Sequence, residues 1–545
     1  MLMTHRAFWY AVADKNIWLF VGMAPCLAAW LLCRRSPYLV TKLRYLLALA
    51  GALIVIAYVG SCLAYLTSPS YSDQGEVTIA AVSWYAQAMK PVYEPAASPD
   101  VHNLLYGPYL FLVNGLFLKV IGGTVFTSKL AAVCATLASV FLLSVFFWRF
   151  FRQPALVLVA AGIYAAVLSN FGIPSFSARS DPLLLFLVTA GLLAATTASP
   201  LSPVIFGAAL GVSMNLKLHG FAYFLPLIFL AWRQENFRRH YVSGVVAAAA
   251  ALAAPFLLPN VSLLNYVATL REAGRHGLGF AEFTETIQWF FVLVFPVIVV
   301  AGISATDNHA AFALYLRDRK WFLPATLLGA ALVTVAASKH GSGHSMWIAY
   351  LPVLGFLFAD IYRSCPYDDS RMSLTSSVLL AFGASWLIAC YFAAARELVL
   401  TDRSIRAETP SAADLEGLLK KFGDRFVILC GVGNNRDFAV TFPRPLLAFA
   451  GFPIGVDPTA LMDSKFAGVP EPSVDEVVRE VTKDQNRGKG VMWLIPRNAR
   501  PFSMNTFYSP NGSLFDESFQ ERFLQEFRLL EQTQWFDVYT NLPAQ

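Results

Sequence analysis

The sequence predicts an all-α polytopic membrane domain of about twelve transmembrane helices, followed by a small C-terminal α/β soluble domain. Three observations carry this. Hydrophobic residues make up 57% of the 545-residue chain and charged residues only 14%, against about 45–50% and 25% in soluble domains. Apolar runs such as Tyr45–Leu66 are long enough to cross a hydrocarbon layer about 30 Å thick. Beyond position 395 the apolar runs shorten and alternate with polar, helix-patterned stretches. The expected division is therefore a transmembrane domain at 1–395 and an extracytoplasmic α/β domain at 396–545.

The expected spans are 17–33, 44–66, 127–148, 155–172, 182–199, 203–216, 219–233, 242–258, 286–303, 322–337, 344–362 and 373–394. The run at 17–33 is not trailed by a small-residue cleavage site and reads as a retained span. Orientation follows from the basic clusters. Arg34, Arg35, Lys42 and Arg44 form one; Arg149 with Arg152 another; then Arg233, Arg238 and Arg239; then Arg317, Arg319 and Lys320; then Arg363 and Arg371. All fall on one face of this span list, which the positive-inside rule makes cytoplasmic. The net charge of +6 is thereby assigned to membrane-flanking loops, and no nucleic-acid partner is expected. The seven cysteines show no CxxC pair and imply neither a zinc site nor a disulfide framework.

The opposite face receives a long first loop, 67–126, short loops at 173–181 and 338–344, a medium loop at 259–285, and the C-terminal tail. Within the first loop, Leu104–Gly123 is apolar enough to span. Counting it as a span would turn every later basic cluster outward, so it reads as an interfacial or re-entrant helix. Glu76–Met89 reads as a second interfacial helix, with Trp84 and Tyr85 at headgroup depth. In the tail, Ala412–Lys421, Val474–Lys483 and Leu514–Glu531 have helical spacing; Arg425–Cys430, Gly490–Pro496 and Trp535–Thr540 read as strands.

The candidate chemistry lies in the first outer loop: Ser72-Asp73-Gln74-Gly75-Glu76, then Pro91-Val92-Tyr93-Glu94, then Pro99-Asp100-Val101-His102-Asn103. Acidic residues held against a membrane face are costly unless they have partners or work. Asp73 follows a span end closely and precedes a helix. It reads either as a half-desolvated general base or simply as a helix N-cap. Glu76, Glu94, Asp100 and His102 are candidates for supporting the loop or the acceptor. Asp73, Glu76 and His102 could hold a divalent metal, but no spacing demands one, and no cofactor is expected.

The order Asp-Gln-Gly-Glu, a helix, Pro-Val-Tyr-Glu, Asp-Val-His, a Tyr-Gly-Pro-Tyr helix and Val120-Ile121-Gly122-Gly123 resembles the first external loop of GT-C superfamily glycosyltransferases. More narrowly it resembles the protein O-mannosyltransferase and aminoarabinose-transferase branch, with Gln74 where that branch carries a second acid. Ala178-Arg179-Ser180-Asp181, Asn215-Leu216-Lys217-Leu218-His219-Gly220 and Lys339-His340-Gly341-Ser342-Gly343-His344 resemble later loops of the same group. The resemblance covers about 44–395 and implies a GT-C fold. It implies a polyprenyl-phosphate-linked sugar donor and an outer-face acceptor, whether glycan, lipid or protein. Asp73 would be the base in an inverting transfer. Arg179, Lys217, Lys339, His340 and His344 would neutralise the lipid phosphate, although each alone also reads as a cation snorkelling to the interface. A bacterial inner membrane, with the active site and tail on the periplasmic side, is the location implied. A transporter or flippase for lipid-linked glycans, a glycan polymerase or ligase, and a catalytically dead relative are the rival readings. The flippase would place charges in mid-span, where few are found.

Overall fold

The computed structural model describes residues 37–95, 98–364, 411–483, 486, 488–508 and 512–542. The expected spans at 17–33 and 373–394, and the boundary at 395/396, lie outside them. Every other expected span is a helix. The membrane part runs α1 (Pro37–Thr67), α2 (Gln74–Gln87), α3 (Pro108–Ile121), α4 (Val125–Phe151) and α5 (Pro154–Phe171). It continues through α6 (Ser180–Thr196), α7 (Ser202–Leu216), α8 (Phe221–Ala231), the short α9 (Glu235–Arg239) and α10 (Tyr241–Ala253). Then come α11 (Leu263–Arg275), α12 (Phe280–Asp307), α13 (His309–Asp318), α14 (Phe322–Ala337) and α15 (Leu351–Ser364).

Among the described residues, 4 helices are long and apolar enough to cross a membrane, or up to 5 if the bent pair α13 and α14 counts as one. Most remaining spans of the predicted twelve correspond to apolar helices of 10–17 residues. Prolines and 3-10 turns break the longer apolar runs, as at Leu218–Gly220 between α7 and α8. α1 packs along α5, α7 along α10, and α6 between α4 and α7. The outer side of α1 leaves Tyr45, Leu46, Leu49, Leu53 and Ile56 exposed. A helix apolar all round has lipid or protein on every side, and here lipid supplies the missing side. The chain is an integral membrane protein.

The turn out of α1 is fixed by a buried cation. Lys129, on α4, donates from Nζ to the carbonyls of Tyr65 (3.1 Å), Ser68 (3.1 Å) and Ser70 (2.5 Å). These carbonyls lie at and beyond a helix C-terminus, where they lack helical partners and attract positive charge. The ammonium also lies 4.4 Å from the Tyr65 ring centroid and 5.6 Å from that of Tyr71. Asp73 follows directly.

The C-terminal region comprises α16 (411–422), β1 (Phe426–Cys430), α17 (Pro445–Phe449), α18 (Pro458–Phe466), α19 (Val474–Val481), β2 (Gly490–Pro496), α20 (Glu517–Glu526), β3 (Arg528–Gln532) and β4 (Phe536–Thr540). Its sheet has 4 strands in the order β1-β2-β4-β3, with β1 and β2 parallel and the other pairs antiparallel. Helical spacing predicted one helix across 514–531. The helix instead ends at Glu526, and Phe527 turns extended into β3. Pairing with β4 overrides the local pattern. Side chains alternate between the sheet faces as strands require: Ile428 and Leu494 pack with α16, Leu429 and Trp493 with α20.

The second of these cores runs on into Tyr71, Val77 and Ala80 of the first outer loop. Polar contacts close the same seam. The Thr78 hydroxyl donates to Asp457 (2.9 Å), the Ile454 amide to the Tyr85 hydroxyl (2.7 Å), and Val101 pairs with Val456 in a parallel bridge.

Candidate functional site

Asp73 is the N-cap of α2, with an extended backbone, and its Oδ1 accepts from the amides of Gly75 (2.7 Å) and Glu76 (3.2 Å). Its Oδ2 lies 3.0 Å from Nη2 of Arg179. Arg179 is itself the residue entering α6. Asp73 is thus the helix N-cap that one of its two sequence readings expects, and the same carboxylate faces a guanidinium. The Asp73 charge, followed by burial acting the other way, leaves Arg179 raised above the usual guanidinium range.

Glu76 lies behind Asp73 and is fully buried. Its Oε2 accepts from the Ser72 amide at 3.2 Å. Burial, then repulsion from Asp73, pushes its carboxyl up to about 7, with Lys129 and Arg179 opposing. Below pH 4.5 this group is protonated in folded and unfolded chain alike. Between about 4.5 and 7 the unfolded chain releases the proton and the folded chain keeps it, so folded stability falls as pH rises through that window. Glu76→Gln is neutral throughout. Its thermal midpoint in detergent is expected to fall less than that of the wild type between pH 4.5 and 8; parallel profiles would sink the assignment.

Lys217, where α7 breaks, forms a buried 2.8 Å ion pair with Asp181 and lies 5.8 Å from the Tyr106 ring centroid. Lys339 sits in the loop after α14, bridged to Leu278. Burial lowers its pKa, partly offset by the nearby Asp463 charge. His340 Nδ1 is 3.2 Å from Glu282. Together these residues line a cavity of about 610 Å³, with Gln74, Gly75 and Arg179 on one side and Asp463 and Tyr508 of the C-terminal region on the other. Four of the lining residues present buried polar atoms with no hydrogen-bond partner among the described residues: Gln74 Oε1, Arg179 Nε, His219 Nε2 and Thr459 Oγ1. A site built for a polar ligand leaves such groups unpaired until it is filled.

The other predicted site residues lie elsewhere. His344 pairs with Glu285 at 2.8 Å and stacks on Trp289 at 4.7 Å, outside the cavity lining. His102 is buried, 3.2 Å from Asp100 and 3.2 Å from the Pro91 carbonyl. Burial lowers its pKa, but Asp100 and then Glu94 outweigh this and leave it raised. Burial raises Glu94 in turn, and its backbone exchanges two 2.7 Å hydrogen bonds with the Asn103 side chain. These three residues hold the first loop beneath the C-terminal region. Sequence reasoning missed Lys129, Asp463 and Tyr508. For Lys129 the signal was available, since a lysine inside an apolar helix marks a site by default.

Neither a protein-family model nor a curated protein matches the sequence. Solved structures do. ArnT from Cupriavidus metallidurans bound to undecaprenyl phosphate is similar at a TM-score of 0.53 and 13% identity, over 91% of this chain and 98% of that one. ArnT of the same organism in the apo state is similar at 0.53 and 14%, over 91% and 97%. Identity this low speaks to fold alone, and the coverage spans both the membrane helices and the C-terminal region. The chain has the fold seen in these ArnT structures.

Proposed function

We propose that this chain is a membrane glycosyltransferase that moves a sugar from a polyprenyl-phosphate donor to an acceptor hydroxyl on the extracytoplasmic face. The observation that carries the reading is one cavity lined by several cations and by apolar residues open to the outside, with the Asp73 carboxylate held against one of those cations, Arg179. Arg179, Lys217 and Lys339 suit an anionic phosphate. Leu218, Leu278 and Val335 line the same cavity and are each more than half exposed, which suits an isoprenoid chain leaving sideways into lipid. The undecaprenyl phosphate in the ArnT structure supports a donor of that class.

In the reaction, the acceptor oxygen attacks the anomeric carbon while the bond from that carbon to the phosphate oxygen breaks. The electron pair leaves on the phosphate, where the cations stabilise it, and the hydroxyl proton passes to Asp73. In-line attack inverts the anomeric centre. The acceptor is a glycan, lipid or protein of the cell envelope, the membrane a bacterial inner membrane, and residues 396–545 a periplasmic domain lying over the active-site face.

The test is turnover. The protein in lipid nanodiscs, given undecaprenyl phosphate carrying labelled sugars and a host envelope extract, is expected to release undecaprenyl phosphate and label an acceptor. Lipid-linked sugar crossing the bilayer of proteoliposomes without transfer would replace this reading with the transporter.

A further inference from the structure

The cavity has two chemically unlike walls. The start of α6, the end of α7 and the loop after α14 supply the cations Arg179, Lys217 and Lys339. The facing wall comes from far along the chain and presents Thr459, Asp463 and Tyr508. Asp463, on α18, accepts a hydrogen bond from the Tyr508 hydroxyl at 2.5 Å. The Tyr508 ring stacks on Phe466 with centroids 4.3 Å apart, and His276 meets both rings edge-on at 5.1 and 5.7 Å. The loop after α14 closes against the same ring. Gly341 has φ of +77°, and a β-carbon there would run into the Tyr508 hydroxyl. This wall is therefore held rigidly on several sides, as a recognition surface needs to be.

Two carboxylates line the cavity; Asp181 is neutralised by its ion pair with Lys217, whereas Asp463 makes no ion pair among the described residues, and its charge repels a phosphate. Asp463 does suit hydroxyl groups, because an ionised carboxylate only accepts hydrogen bonds. Burial, opposed by the Tyr508 hydrogen bond, brings Asp463 to about 6, so it is largely ionised at neutral pH. It also lies close enough to Lys339 for the two charges to influence each other. The group one bond away from a phosphate held at Lys339 is the sugar.

We propose that Asp463, with Tyr508 and Thr459, is the subsite that binds the donor's sugar through its ring hydroxyls, an inference that rests on the lipid-linked donor reading above. The C-terminal region is then the part of the chain that distinguishes one donor sugar from another. Asp463 and Tyr508 touch substrate without taking part in proton transfer.

Binding separates this from the transfer chemistry. The wild-type protein in nanodiscs is titrated with undecaprenyl phosphate and with the same lipid carrying a pentose, a hexose or an N-acetylhexosamine. One glycosylated lipid is expected to bind at least about 10-fold more tightly than undecaprenyl phosphate, the scale of a hydrogen bond to a charged group. Asp463→Asn is expected to erase that preference while undecaprenyl phosphate binds as tightly as before or more tightly, because the repelling charge is gone. A monodeoxy analogue of the preferred sugar should lose the same factor in the wild type and nothing further in Asp463→Asn, since the two changes remove one contact. Tyr508→Phe keeps the ring stack and removes only the hydroxyl. It should weaken the preference without unfolding the wall, and Asp463→Glu should restore part of it. Equal loss for both lipids, no wild-type preference for any glycosylated lipid, or an effect confined to acceptor affinity would each overturn the proposal. An intact preference without turnover would instead sink the transferase reading and leave this subsite standing.

Discussion

Asp73→Asn is expected to lower turnover by about 10²–10⁴-fold, the usual contribution of a positioned general base. The substitution isolates chemistry from folding unusually well. Asp73 spends Oδ1 on the amides of Gly75 and Glu76, and asparagine caps a helix start as well as aspartate does. The entry into α2 should therefore survive. What disappears is the charge at Oδ2, 3.0 Å from Arg179, and with it the proton acceptor. Arg179 is then freer to meet the donor phosphate, so donor KM should stay level or fall while kcat drops. Steady-state kinetics at equal protein abundance read both. Full turnover in the variant would remove Asp73 as base. Of the other first-loop acids, Glu76 is buried behind it and Asp100 pairs with His102, so the acids that line the cavity, Asp181 and Asp463, would be tested next.

Gly107→Ala is expected to be the most damaging glycine-to-alanine change among the described residues. Gly107 sits where the first loop crosses the broken end of α7, and its amide donates to the Leu216 carbonyl at 3.0 Å. A β-carbon there would fall on the backbone carbonyl of Asn215. Asn215 cannot step aside: its side chain accepts from the Tyr109 amide at 3.3 Å and donates to the Leu252 carbonyl at 3.0 Å. Two backbones in contact cannot relax as a side chain does, so a cost above about 3 kcal/mol is expected, at the upper end for overpacking. Lys217 follows immediately. Any protein that still folds should also bind undecaprenyl phosphate more weakly. Thermal unfolding in detergent and a lipid titration check the two parts. An unchanged midpoint would mean the loop does not cross α7 this closely.

Much of the membrane architecture was legible because each apolar run of about twenty residues has few alternatives to a helix across or along a bilayer. The re-entrant reading of Leu104–Gly123 rested on loop charges, and α3 is a short apolar helix packed against α2. The site was legible only in part. Asp73, Arg179, Lys217 and Lys339 were readable one at a time as polar residues at span ends. The convergence of Arg179, Lys217 and Lys339 on one cavity, with Asp73 held against Arg179, is a tertiary fact that no local spacing encodes. His344 shows the converse: an outer-loop histidine looked free for phosphate, whereas the structure places it outside the cavity lining against Trp289 and Glu285. Asp463 and Tyr508 gave no signal, since both lie in a soluble-looking stretch where acids and aromatics are ordinary.

The seam between the first outer loop and the C-terminal region also sets a clock. Thr78 and Asp457 are 379 residues apart, and Tyr85 and Ile454 are 369 apart. At a synthesis rate of about 5–20 residues per second, the loop waits roughly 20–75 s after emerging before its partners exist. Throughout that interval Tyr71, Val77 and Ala80 have no core to enter, and Val101 has no strand partner. Biogenesis of this protein is thus governed by its last quarter. A nonsense codon late in the reading frame would leave an inserted helix bundle whose reactive loop never sets, a species for quality-control proteases to find.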